Sequence, residues 1–254
     1  TSGSRVAGLA TSGTFKGTVA PGTLRDATID VTIASAKAHA TGAVGSAGDR
    51  LAYAIDAPNV ADVAAFVPAA VTRPLSGELH VSGVIAIAPG AYGGTFDVRG
   101  QALHAGAYGV QTIQGTGSLP PPAAGSRSLL ADRALALDIT TTQLTLPGRA
   151  IDSAHTTISG SLSHHQLSLA LKSTNFDVAL ALDGSVANVD TPARAAWNGT
   201  LTSLVNTGAV PVKLRAPATF TLREGYFRFA DAHIDAAGGT ADVGEFVWNA
   251  GHIT

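Results

Sequence analysis

The sequence predicts an all-β fold, built from one long antiparallel sheet with one or two short helices. Apolar and polar residues alternate along almost the whole chain, and Gly and Pro interrupt the alternating runs at short intervals. Only 13% of the 254 residues are charged, against about 25% in an average soluble domain. Because successive strand residues point to opposite faces, each run presents one apolar and one polar face. We expect roughly 20 short strands joined by tight turns.

The apolar positions of the alternating runs are the candidate functional residues. They are Ile29, Val31, Ile33, Leu51, Tyr53, Ile55, Leu79, Val81, Phe96, Val98, Leu135, Leu137, Ile139, Leu167, Leu169, Leu171, Val178, Leu180, Phe220, Leu222, Phe227 and Phe229. Covered by a second sheet, these side chains would form the core of a β-sandwich; left uncovered, they would line an apolar groove. An outer-membrane barrel is disfavoured, because most runs are shorter than the about 9 to 11 residues of a barrel strand.

Two segments depart from the alternation and are predicted to be short helices. The first extends from Asn59 to Val67, with apolar residues at helical spacing, Asn59 as the N-cap and Pro68 as the residue that ends it. The second is Thr202–Thr207, which Gly208 would end. Both are expected to lie as small caps or plugs between strands.

The organisation of the chain is expected to be that of an internal segment, residues 1–254, of a longer protein, since it starts at Thr1 and contains no Met. The Pro-rich loop 119–128 contains Pro120, Pro121 and Pro122. Three consecutive prolines cannot continue a ladder of backbone hydrogen bonds, so this loop is a candidate boundary within the segment.

A short sequence element recurs along the chain and indicates similar structural units in series. It consists of a Gly between two apolar positions, where we expect a new strand pair to begin. Gly17 follows Phe15, Gly77 follows Leu75, and Gly160 lies between Ile158 and Leu162. The recurrence predicts a quasi-linear architecture. Its irregular spacing disfavours a structural or adhesive solenoid, which would repeat with a fixed short period.

The residues needed for common catalytic sites are missing or scattered, and the chain is predicted not to be an enzyme. It has no Gly-x-Ser-x-Gly elbow and no Gly-rich loop followed by Lys-Ser or Lys-Thr. The absence of cysteine excludes thiolate and iron–sulfur chemistry. His164 and His165 are adjacent, but neighbours on a strand face opposite ways and cannot share a metal ion. No cofactor or metal is therefore expected, and the scattered basic residues predict no nucleic-acid partner.

Two segments carry a resemblance to a known family. Residues 158–169 contain a Gly–Leu–His–Leu strand pair, and residues 197–204 read Trp-x-Gly-x-Leu-x-x-Leu before a Leu-x-x-Pro step at 214–217. In order and spacing these segments resemble the TamB family, the inner-membrane component of the translocation and assembly module, which is related to the AsmA-like proteins. The clear part of the resemblance covers residues 150–254, and the first half of the chain shares only the general repeat style.

The resemblance implies a sheet that curls into an open, taco-like groove with an apolar interior, similar to bridge-like lipid transfer proteins. It implies a periplasmic location in a Gram-negative bacterium, within a protein that is anchored in the inner membrane and reaches an outer-membrane barrel partner through ends outside this segment. The implied function is conduction of phospholipids between the two membranes, with acyl chains bound along the candidate residues. The alternative is a scaffold or chaperone that assembles outer-membrane and autotransporter proteins by strand pairing.

Overall fold

A computed structural model describes residues 4–66, 74–88, 91–122, 132–188, 194–249 and 252–253. Most of these residues belong to strands. The described strands form one antiparallel sheet of 18 strands. The all-β fold class predicted from the alternation is therefore confirmed. The chain divides into two compact units, unit 1 (Thr1–Pro121 and Ile139–Ala150) and unit 2 (Pro122–Asp138 and Ile151–Thr254).

Unit 1 is a meander in which each strand pairs with the next one along the chain. Its strands are β1 (Ser4–Val6), β2 (Leu9–Ala20), β3 (Thr23–Ile33), β4 (Ala36–Val44), β5 (Leu51–Ala57), β6 (Leu75–Ala88), β7 (Ala91–Ala105) and β8 (Tyr108–Leu119). The strand β9 (Ala134–Leu146) begins in unit 2 and ends in unit 1. Within unit 1, the Thr142 hydroxyl of β9 shares a 2.6 Å hydrogen bond with the Thr112 hydroxyl of β8.

Unit 2 continues the meander with one broken strand. Its strands are β10 (Arg149–Ser161, which starts at the end of unit 1), β11 (His165–Lys172), β12 (Asp177–Ala187), β13 (Ala196–Asn206), β14 (Val212–Leu214), β15 (Ala218–Arg223), β16 (Tyr226–Ala236), β17 (Gly239–Asn249) and β18 (His252–Ile253). Both β14 and β15 pair with β13 on one side and β16 on the other. Pro217 lies between them, and because it has no N–H it interrupts the ladder there.

At two of its three occurrences the recurring glycine marks a β-bulge, whereas Gly160 lies beside the turn where the β10–β11 pair begins, as predicted. Gly17 lies inside β2 and Gly77 inside β6, with φ of 141° and 109°, and the pairing register shifts at each of them. A Cβ at Gly17 would stand 2.8 Å from the Arg25 carbonyl oxygen, and one at Gly77 would overlap the Ala102 carbonyl oxygen. Glycine is therefore required at both positions, where the bulge bends the strand and increases its twist.

The first predicted helix is present as a 3₁₀ helix, η1 (Val60–Phe66). Asn59 caps it as predicted, because its Oδ1 accepts a hydrogen bond from the Ala61 N–H at 3.2 Å. Asp62 joins η1 to the turn between β3 and β4, since its Oδ2 accepts a hydrogen bond from the Ser35 N–H at 3.3 Å. Val67 and Pro68, where the helix was predicted to end, lie outside the described residues.

The second predicted helix, Thr202–Thr207, is wrong, because β13 continues through this segment to Asn206. The register between β12 and β13 shifts so that Thr202 is an extra residue in a β-bulge, and its hydroxyl donates to the Ala181 carbonyl oxygen at 3.1 Å. The bulge turns Leu201 and Leu204 to the same face of the sheet.

The buried apolar residues of both units are few and mostly small. In the described residues they are Ala27, Ala36, Ala57, Val60 and Ala86 in unit 1, and Leu201, Leu214, Ala218, Phe220, Ala230 and Ala232 in unit 2. No large side chain in these ranges is fully buried. A protein interior normally buries most of its Ile, Leu, Val and Phe, whereas most of the larger apolar side chains in the described strands are partly or fully exposed.

Candidate functional site

The strand registers of unit 1 place its predicted residues from β3 to β7 on one face. Directly paired residues of antiparallel strands point to the same side of a sheet. One row across the sheet consists of Ile29, Ala40, Tyr53, Gly83, Phe96 and Gly117, and the next of Val31, Ala38, Ile55, Val81, Val98 and Gly115. By strand alternation Ile33, Leu51 and Leu79 share this surface, which we call the unit 1 apolar face.

Glycines on the unit 1 apolar face leave space for the large side chains of neighbouring strands. A Cβ at Gly117 would overlap the Phe96 ring, and one at Gly83 would stand 2.9 Å from the Tyr53 hydroxyl oxygen. The two aromatic side chains therefore cover the glycines of the adjacent strands.

Large apolar side chains on the unit 1 apolar face remain accessible to solvent. Phe15, which pairs with Ile29, is 50% exposed, and Ile55 is 41% exposed. A sandwich core would bury these positions between two sheets. The exposure favours the uncovered arrangement for this unit.

An apolar cavity of about 530 Å³ lies beside η1 in unit 1. Val60 of η1 is buried with Ala36 and Ala57, and this cluster packs against Leu79 on β6. The cavity is lined by Val60, Val63, Leu75, Leu79, Leu103, Tyr108, Val110, Ile113, Leu144 and Leu146, with a few polar neighbours. At about 30 Å³ for a group the size of a water molecule, it has room for on the order of 15 to 20 methylene groups.

Unit 2 has its own apolar face, which collects the predicted residues of β11, β12, β15 and β16. Its rows include Ile158, Leu167, Leu182, Leu201 and Ala218; Thr156, Leu169, Leu180 and Leu204; Ala154, Leu171 and Val178; Gly199, Phe220, Phe229 and Phe246; and Trp197, Leu222, Phe227 and Trp248. We call this surface the unit 2 apolar face. Leu222 is 46% exposed and Trp248 is 38% exposed, so the row that contains them is accessible to solvent, whereas Leu201, Ala218 and Phe220 of the other rows are buried.

The three predicted residues on β9 are divided between the units. Leu135 and Leu137 belong to unit 2 and Ile139 to unit 1, and all three are half-buried between exposed neighbours. Asp138 forms a 2.9 Å ion pair with His155. Adjacent residues of a strand point to opposite faces of the sheet, so the Leu137 side chain points away from this polar contact.

A cluster of His165 and two aromatic side chains lies within the unit 2 apolar face and was not foreseen from the sequence. His165 is only 6% exposed, and its ring stacks on that of Trp197 with centroids 5.9 Å apart. The Trp197 ring contacts Phe220 at 4.4 Å between centroids. A Cβ at Gly184 would stand 2.6 Å from Trp197 Nε1, so this glycine makes room for the indole. The residues that carried the family resemblance around 165 and 197 thus come together here.

The polar side of the sheet carries His–Asp pairs across neighbouring strands. His39 pairs with Asp30 at 2.7 Å and His80 with Asp56 at 2.6 Å in unit 1. In unit 2, His233 pairs with Asp242 at 2.6 Å, and Arg215 contacts the same carboxylate at 3.2 Å. These three histidines are exposed to solvent and lie on the opposite face of the sheet from the apolar residues.

These pairs predict an acid-dependent loss of stability. The hydrogen bond from His39 lowers the pKa of Asp30, and the hydrogen bond from His233, with help from Arg215, lowers the pKa of Asp242. A carboxylate with a lowered folded-state pKa stabilises the fold above its unfolded pKa of about 3.9, and this contribution is lost as the pH falls through the lowered value. We expect the urea midpoint to fall less between about pH 5 and pH 2 in an Asp30→Asn, Asp242→Asn protein than in the unmodified one. Glu224→Gln, in an exposed turn, serves as the control, and equal slopes in all three proteins would contradict the prediction.

The geometry defines an all-β protein in which, among the described residues, the apolar sheet face of each unit carries large side chains exposed to solvent. Comparison with protein-family models, with curated proteins and with solved structures yields no match. The resemblance to the TamB family therefore stays a prediction that rests on the quoted residues. Within the described ranges, no three His, Asp or Glu side chains converge as a metal site, and no helix is long and apolar enough to span a membrane.

Proposed function

We propose that the chain is part of a hydrophobic conduit that binds phospholipid acyl chains along its apolar faces and lets them pass between two membranes. The observation that carries this proposal is the exposure of large apolar side chains that share one face in each unit, such as Ile55 and Leu222. An exposed apolar surface of this kind marks a binding surface in a soluble protein. The cavity beside η1 matches the size of one long acyl chain.

The chemistry of these faces favours a mobile hydrocarbon ligand. Each methylene group that leaves water contributes about 0.8 kcal/mol, so an acyl chain in contact with several of the side chains is held firmly. Such contacts have no preferred direction. In the described part of the unit 1 apolar face, the side chains in the rows of Ile29 and Val31 are aliphatic or aromatic, and a chain can slide along them without losing a specific hydrogen bond.

The periplasmic location, the inner-membrane anchor and the outer-membrane barrel partner belong to the same proposal. Their support is the resemblance of residues 150–254 to the TamB family. The apolar faces support acyl-chain binding independently of that resemblance, so the two parts of the proposal can be tested separately.

The test is organic extraction of the purified protein, followed by mass spectrometry of bound lipid, for Leu169→Asp and for a matched control. Leu169 is half-buried on the unit 2 apolar face, where it pairs with Leu180, and Ala170 is its exposed neighbour on the other face. Loss of one leucine contact removes about 1.5 to 3 kcal/mol, so affinity in unit 2 should fall roughly 10- to 100-fold. Ala170→Asp should retain bound phospholipid.

Movement, as distinct from binding, is measured by the transfer of labelled phospholipid between donor and acceptor vesicles. The unmodified protein and Ala170→Asp should accelerate transfer, and Leu169→Asp should not. A lipid-free extract from folded protein, or equal lipid content in the two variants, would contradict the proposal and favour the strand-pairing scaffold.

A further inference from the structure

The two ring nitrogens of His165 have opposite hydrogen-bonding roles. An indole N–H donates and cannot accept. The 2.7 Å contact between Trp197 Nε1 and His165 Nε2 therefore requires that Nε2 carry no proton. The proton of the neutral ring then resides on Nδ1, which donates to the Ser161 carbonyl oxygen at 3.1 Å. The neutral imidazole satisfies both contacts, and the imidazolium cannot.

The strands packed against His165 offer no charge that would favour the imidazolium. The strand β13, which carries Trp197, has no charged residue. On β12, Gly184 pairs with His165, so the adjacent Asp183 points to the opposite face. On β10, the charged residues Arg149, Asp152 and His155 precede the end of the strand that pairs with His165.

Among the described residues, the turn before β11 carries His164, and the segment before β9 carries Asp132 and Arg133. His164 is exposed, on the other side of the chain from His165. Asp132 accepts a 2.8 Å hydrogen bond from the Ser163 hydroxyl in this turn, and Arg133 beside it is itself a buried cation. In the described residues, His165 has hydrogen bonds to Ser161 and Trp197 and no ion pair.

We propose that His165 and Trp197 form a proton-sensitive latch in the unit 2 apolar face. A proton from solvent binds the Nε2 lone pair, which places an N–H against the indole N–H. Two donors then face each other, so the hydrogen bond breaks and a positive charge stands on an apolar surface. The indole leaves its position over Gly184, and the packing of Trp197 on Phe220 is lost.

One regulatory consequence follows, and it rests on the proposed function. A charge at His165 makes the unit 2 apolar face a poorer surface for acyl chains, so acyl-chain binding in this unit weakens at acid pH. The latch itself does not depend on lipid binding, and the two can fail separately.

The experiment follows the indole N–H resonances of the full chain by ¹H–¹⁵N NMR from about pH 8 down to the lowest pH at which the protein stays folded. The chain has two tryptophans, so Trp248→Phe assigns the signals and Trp248 serves as the internal reference. The Trp197 signal should shift along a one-proton curve. In His165→Gln the amide oxygen accepts the same hydrogen bond without titrating, and the Trp197 signal should stay constant.

The unmodified protein provides a second readout if His165→Gln fails to fold. Long-range ¹H–¹⁵N correlations of the His165 ring should show a bare Nε2 at the neutral end of the series and protons on both nitrogens at its acidic end. A Trp197 signal that is flat over this range, or that titrates equally in His165→Gln, would overturn the latch. So would a proton on Nε2 at the higher pH.

The regulatory consequence is measured with N-phenyl-1-naphthylamine, an apolar probe that is uncharged over this pH range. Its affinity should fall about tenfold from the neutral to the acidic end, and this fall should be absent in His165→Gln. A latch that titrates without any change in probe affinity overturns the regulatory consequence alone. Failure of the probe to bind at every pH contradicts the proposed function and leaves the NMR result standing.

Discussion

Replacing Gly77 by Ala is expected to destabilise the protein by about 2 to 4 kcal/mol, a large fraction of the about 5 to 15 kcal/mol that holds a typical domain together. Two effects add at this position. Gly77 has φ of 109°, which L-residues rarely adopt. The new Cβ would also overlap the Ala102 carbonyl oxygen, which is backbone and cannot rotate away. Urea unfolding followed by circular dichroism measures the effect.

The matched control for Gly77→Ala is Gly48→Ala. Gly48 also has a positive φ, 88°, but a Cβ there would meet nothing within 4 Å. This variant should show the conformational cost alone, about 1 kcal/mol. Equal losses in the two variants would contradict the assignment of Gly77 to a bulge that closely approaches β7.

The bulge at Gly77 also links the fold to the cavity. Leu75 and Leu79 lie on either side of Gly77 in β6, and both line the cavity beside η1. The repeated glycine could be found in the sequence, because it recurs between apolar residues. Its conformation could not, because a bulge depends on the register of two strands, and alternation does not specify register.

Alternation did predict which side chains share a face within each strand. It could not predict which residues of different strands become neighbours. The pairing of Phe96 with Gly117, or of Tyr53 with Gly83, depends on the registers of the β7–β8 and β5–β6 ladders. The helix predicted at Thr202–Thr207 failed for a related reason, since the bulge at Thr202 depends on the register between β12 and β13.

The polar contacts also differ in whether the sequence alone could have predicted them. Asp30 and His39 are equally distant from the turn between β3 and β4, where Ile33 pairs with Ala36, so a tight turn at that point was sufficient to predict their contact. The contact of His165 with Trp197 was beyond sequence reasoning. It joins residues on β11 and β13 across the intervening β12, and it needs a glycine at 184 to let the two rings meet.

Replacing Leu144 by Trp is expected to weaken the binding of an acyl chain in the cavity beside η1 about 30-fold. Leu144 lies half-buried on β9, and its side chain lines the cavity. An indole in its place fills the space of about two or three methylene groups, each of which contributes about 0.8 kcal/mol to binding. The loss of about 2 kcal/mol corresponds to this decrease in affinity. Since the new side chain is apolar, the fold should keep its stability.

The measurement is local, because acyl chains are expected to bind elsewhere on the apolar faces as well. Ile113 on β8 lines the same cavity, so its labelled methyl signals report this site in NMR titrations with oleate. In the unmodified protein these signals should shift with added oleate, and Leu144→Trp should move the midpoint to about 30-fold higher concentration. Thr140→Trp, at an exposed position of the same strand, should leave the midpoint unchanged. Ile113 signals that do not respond to oleate in the unmodified protein would show that the cavity is not an acyl-chain site. A midpoint that is the same in both tryptophan variants would place the bound chain outside the cavity, because an indole that fills the space of a ligand has to compete with it.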